Sequence, residues 1–185
     1  MDTANLTPIS AFDDARAKAC AAAGAMIPLV ARTLHAQYPT GRYLVLTRPT
    51  GDYDDECVNL HSVRDAQGEI VREFNPYALA SERLPDVPEE IAALWGAVDP
   101  RMPEAVQGLI QAVDDVAPYE FLDFLPAEFR TDEEIEAEDE GGRTPLGIPL
   151  PCPCGSPGGE CAPCCDSKDA CPTVCSGCTL WRPEC

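Results

Sequence analysis

Nine of the chain's eleven cysteines are crowded into its last 34 residues, and no other feature limits the fold as strongly. A segment that short, with four prolines between 153 and 172 and few large apolar side chains, cannot bury a core of its own. It must be held by covalent bonds or metal, or remain unfolded. Which of these applies depends on the compartment. The first twenty residues carry only Arg16 and Lys18 as basic groups and have no apolar stretch of the kind that opens a signal peptide. No later run approaches the ~18 uninterrupted apolar residues of a membrane span. The cytoplasm is therefore the expected compartment. Disulfides do not persist there, whereas thiolates bind zinc without redox chemistry.

Cysteines two residues apart can turn both sulfurs toward one tetrahedral ion. Cys161-Ala-Pro-Cys164 and Cys175-Ser-Gly-Cys178 are two such knuckles, with ten residues between them. Cys152, Cys154, Cys165, Cys171 and Cys185 remain, enough for a second four-thiolate site with one cysteine unused. Cys152 and Cys154 pair equally well with Cys164 and Cys165, and a cluster sharing thiolates satisfies the same arithmetic. The expectation is one or two zinc ions, with ligands drawn from Cys152, Cys154, Cys161, Cys164, Cys165, Cys171, Cys175 and Cys178.

The run Pro151-Cys-Pro-Cys-Gly-Ser156, followed by Cys164-Cys165, resembles the SEC-C motif, a short zinc-binding element appended to many unrelated proteins. The resemblance implies that Cys152, Cys154, Cys164 and Cys165 bind one zinc, and that the segment docks on a protein or near the ribosome. The chain departs from the motif at Pro157-Gly-Gly-Glu-Cys161, where the family carries a glycine and lysines around a tyrosine, and its gap to the second cysteine pair is one residue longer. Two other chemistries fit the composition. Either CxxC pair supports thiol redox, and a cysteine-rich tail behind an acidic leader and Gly141-Gly142 suits a precursor whose tail is modified. The C-x-C, C-C and C-x3-C spacings are not those of common ferredoxins.

The rest of the chain reads as one acidic globular domain. Apolar residues at 45% allow a core, but aromatics at 6% keep it small. With 32 acidic against 13 basic residues the formal charge is -19, which opposes binding to duplex nucleic acid or an anionic membrane. A protein partner, basic where charge selects it, is the expected contact.

Ala15, Ala19, Ala23, Ile27, Val30, Leu34 and Tyr38 recur three or four apart behind Ser10, predicting a helix that kinks or breaks at Pro28 and stops before Pro39. Strands are expected at 43–47, 57–63 and 69–74, joined by the acidic stretch 51–56 and the Asp65–Gly68 turn. Short helices follow at 88–95 and 102–113, and the aromatic stretch 118–129 is read as the last core element. The fold class is thus α+β, a small antiparallel sheet packed on helices over residues 1–130. Residues 132–140 hold seven carboxylates in nine positions, and with the prolines of 143–151 they read as a solvated linker over 131–151. The cysteine-rich module occupies 152–185.

No phosphate-binding glycine loop, nucleophile elbow or metalloprotease histidine pair occurs. His35 and His61 read as structural or solvent-facing, Asp52, Asp54, Asp55 and Glu56 as a charged turn, and Cys20 and Cys57 as small buried residues. The expected function is therefore a non-enzymatic interaction protein.

Overall fold

The computed structural model describes residues 7–48, 57–118, 120–139 and 144–151. Helix α1 (Pro8–Gln37) starts where Pro8 supplies a preset φ at the first helical position. The Thr7 hydroxyl accepts the Ser10 backbone N–H at 3.3 Å, so Ser10 lies inside the first turn rather than ahead of it. The expected break at Pro28 does not occur, and the helix runs through it to Gln37. Pro28 lies on the exposed side, so its ring meets solvent rather than the core. Tyr38 N–H closes the last turn on Leu34 O, and Pro39 ends the helix.

Strands β1 (Tyr43–Thr47), β2 (Asn59–Arg64) and β3 (Ile70–Glu73) form the expected antiparallel meander. The turn between β2 and β3 needs a left-handed residue, which Gly68 supplies at φ 81. Asp65 braces that turn by accepting the N–H groups of Gln67 and Glu69. A four-residue helix α2 (Glu89–Ala92), a 3₁₀ turn at 93–95 and helix α3 (Pro103–Val116) follow.

The segment expected as a linker belongs to the fold. Residues 132–139 form helix α4 (Asp132–Asp139), and 146–149 form strand β5 (Leu146–Pro149). Strand β5 lies between β1 and the two-residue β4 (Asp123–Phe124), giving the order β3-β2-β1-β5-β4. The folded unit thus extends about twenty residues past the boundary drawn at 130, through β5 to Leu150, whose N–H bonds Arg42 O at 2.8 Å.

One face of the sheet, the front, carries Leu44, Leu46, Leu60, Val63, Leu146 and Ile148 against Val30, Ala31 and Leu34 of α1 and Val106 and Ile110 of α3. Burying such side chains stabilises by roughly 1.5–3 kcal/mol each. Trp95 joins this core and donates its indole N–H to Thr33 Oγ1 at 2.9 Å. Strand β3 pairs only with the end of β2. The N–H groups of Val58 and Leu60, which β3 does not reach, are taken instead by Gln111 and Gln107 of α3, at 2.9 and 3.2 Å, so side chains blunt that stretch of edge.

The opposite face, the back, is smaller: Tyr43 and Val45 pack on Leu125 and Phe129. Gly147 permits this, because a Cβ there would meet Leu125 at 3.0 Å and Tyr43 at 3.1 Å. The aromatic stretch reaches the core only in part: Leu122, Leu125 and Phe129 are buried, but Phe121 is half-buried and Phe124 on the edge strand β4 is 69% exposed. Cys57 is exposed and Cys20 half-buried, correcting the reading of both as buried. Cys57 lies just ahead of β2, before the alternation that buries Val58 and Leu60 takes hold.

Candidate functional site

Strand β2 departs from a regular ladder at one point. Val45 pairs with Ser62 and Leu46 with Leu60, so His61 is the extra residue of a β-bulge. A bulge re-aims side chains, and here both Leu60 and Val63 reach the front core while Ser62 and Arg64 point to the back. The result is a polar cluster on the back of the sheet.

Arg64 is its centre, with 0% of its surface exposed. Its Nη1 donates to Phe129 O at 2.5 Å and to Glu134 Oε2 at 2.7 Å, and its Nη2 to Glu134 Oε1 at 2.6 Å. Nε donates to Ser62 Oγ at 3.3 Å. A guanidinium this deep persists only when charge and donors are matched, and Glu134 supplies the charge in bidentate geometry. Glu134 is itself placed by a capping box: its carboxylate accepts the Thr131 N–H at 2.8 Å while its own N–H donates to Thr131 Oγ1 at 3.2 Å. Helix α4 forms despite its carboxylates because Asp132, Glu133 and Glu134 sit in its first turn, where the helix dipole favours them.

His61 and Ser62 are the one pair here that looks like nucleophilic chemistry, with His61 Nδ1 and Ser62 Oγ 3.0 Å apart. Ser62 is wholly buried, however, and its oxygen already accepts from Arg64. Donating its proton to His61 Nδ1 satisfies both groups, leaving no hydroxyl facing solvent. Burial, followed by the nearby Arg64 charge, lowers the pKa of His61, against the opposing pull of Glu134 and Glu73. The cluster therefore fastens α4 to the sheet. Beside it, between the β2–β3 turn and the start of α4, lies an open groove of about 390 Å³ lined by Gln67, Gly68, Glu69, Ile70, Arg130, Thr131 and Asp132. The charge of Arg130 is already engaged with Glu138 at 2.5 Å.

A second polar group sits where α1 meets β1. Arg42 is 6% exposed, and its Nε and Nη1 have no hydrogen-bond partner among the described residues, nor has His35 Nδ1. Burial and then the Arg42 charge lower the pKa of His35. Both histidines are half-buried.

The expected zinc ligands Cys152, Cys154, Cys161, Cys164, Cys165, Cys171, Cys175 and Cys178 lie outside the described residues, as do Cys185, the stretch resembling SEC-C and the acidic residues Asp52, Asp54, Asp55 and Glu56. Among the described residues no group of three or more His, Cys, Asp or Glu side chains is arranged to hold a metal. The sequence reading missed the Arg64–Glu134 clamp. Its signal was the Thr131-Asp-Glu-Glu134 capping box inside the acidic run. The chain matches no protein-family model, no curated protein and no solved structure.

Proposed function

We propose that the chain is a non-enzymatic interaction protein of the cytoplasm, an acidic α+β body carrying a zinc-thiolate module over 152–185. The observation that carries this reading is the pair of knuckles Cys161–Cys164 and Cys175–Cys178 among nine cysteines in 34 residues. The module takes one or two zinc ions, and its contact is with a protein, one of basic surface given the charge of -19. The Ser62 hydroxyl is engaged by Arg64 and His61 rather than free to attack a substrate.

Native mass spectrometry of the full chain, purified under reductant without chelator, tests the metal. A mass excess of one or two zinc ions, lost on chelation as the tail thiols become alkylatable, is the expected result. A metal-free chain whose CxxC pairs alkylate at once and cycle with dithiothreitol would move the assignment to thiol-redox chemistry.

A further inference from the structure

Helix α1 carries one stripe along its whole length but uses only half of it on its own core. Ile9, Phe12, Arg16, Ala19, Ala23, Met26, Val30, Thr33 and Gln37 follow one another at alternating steps of three and four, the heptad spacing of a coiled-coil seam. Ala23, Val30, Thr33 and Gln37 are buried by the body. Along the other half of the seam every residue from 11 to 19 is exposed, with Phe12 at 67% and Ile9 at 75%. A free-standing helix of ~12–15 residues is marginal in water, and a bare apolar seam calls for a covering surface.

The charges on that half point to what covers it. Asp13, Asp14, Arg16 and Lys18 cancel locally in a chain whose total is -19. This is therefore a segment on which two copies can meet without repelling each other. An antiparallel pairing centred between Asp14 and Ala15 sets Asp13 of one copy against Arg16 of the other, twice by symmetry. It also answers the one charged residue, Arg16, that lies in the seam. The small side chains Ala15 and Ala19 allow the close axial approach such a pair needs.

We propose that the first half of α1 is an isologous dimer interface, a two-fold antiparallel helix pair with a Phe12 on either side of its axis and reciprocal Asp13–Arg16 contacts. It goes beyond the zinc module, and its test is separable from it because the residues involved lie at the other end of the sequence.

Sedimentation equilibrium of the full chain under reductant reads the state. The expected result is twice the chain mass, falling to one chain mass in Phe12→Asp, which keeps a cooperative unfolding transition whose midpoint no longer depends on protein concentration. Asp13→Arg and Arg16→Asp should each weaken association, by about tenfold for a loss near 1.4 kcal/mol, and together restore it. A monomer at every loading concentration overturns the proposal. So does a dimer that chelator dissociates and Phe12→Asp does not, which places the contact in the tail. Co-sedimentation of a monomer with phosphatidylcholine vesicles, abolished by Phe12→Asp, also overturns it and assigns the face to a bilayer.

Discussion

The two faces of the sheet are closed by different physics. On the front, apolar stripes of α1 and α3 lie against Leu44, Leu46, Val63 and Ile148, and the attraction is spread over many contacts with little directional demand. On the back, four apolar side chains are supplemented by one buried guanidinium whose stability depends on a carboxylate in α4 and a carbonyl at Phe129. The front tolerates small losses in proportion to the area removed. The back is conditional, since an unmatched Arg64 is worse than no arginine there. Strand β5 serves both, with Leu146 and Ile148 forward and Gly147 behind.

The largest effect should come from separating the two faces at β5. A chain ending at 142 loses the strand that joins β1 to β4, so both cores open, and it should show no cooperative thermal unfolding by circular dichroism. A chain ending at 151 keeps every described pairing of β5 and should melt close to the full-length protein. Equal melting of the two truncations would show that β5 adds nothing to the sheet.

Single substitutions sharpen the contrast. Leu44→Ala on the front should cost about 2–5 kcal/mol in urea unfolding, as buried leucines generally do. Arg64→Ala on the back should cost about 3–5 kcal/mol, because Glu134 is left without its partner. The two losses overlap in size and differ in remedy. Arg64→Met with Glu134→Gln removes both charges while keeping a capping-box side chain, and should recover most of the loss. If the double variant is as unstable as Arg64→Ala, the pair contributes attraction of its own and the conditional reading of the back face fails.

This contrast also explains what the sequence disclosed. The meander, α1 and α3 were legible because their signals are local: alternation in β1 and β2, steps of three and four in the helices, and glycine in the turn at 68. The clamp joins positions 70 apart, and no periodicity connects them. Strand β5 was hidden because three residues between Pro145 and Pro149 carry too little alternation to stand out from a linker. The acidic run has a linker's composition, but its first-turn placement turns three of its carboxylates into helix stabilisers. The cysteine-rich tail was legible in composition and spacing alone, and its expected ligands lie outside the described residues.

The smallest effect is a pH dependence that belongs to the back face. Burial pushes the Glu134 carboxyl up, but hydrogen bonds from Arg64 and the Thr131 N–H, with the Arg64 charge, together hold it below its usual 4.5. A depressed carboxylate contributes stability that is present above the unfolded value and is lost as pH falls below 4.5 through the folded one. His61, lowered from 6.5 chiefly by burial, acts in the same direction, contributing fully above 6.5 and less as acid charges the unfolded chain first. The two windows adjoin, so the urea midpoint of the wild type should decline from about pH 7 to about pH 3. In Arg64→Met/Glu134→Gln the lower window vanishes, because glutamine does not titrate. The upper one shrinks, because the charge that helped lower His61 is gone. The decline should therefore be shallower than in the wild type. Leu44→Ala leaves both groups in place and should run parallel to the wild type at a lower level. Three parallel profiles would mean that the acid sensitivity arises elsewhere, and that the back face is held like the front.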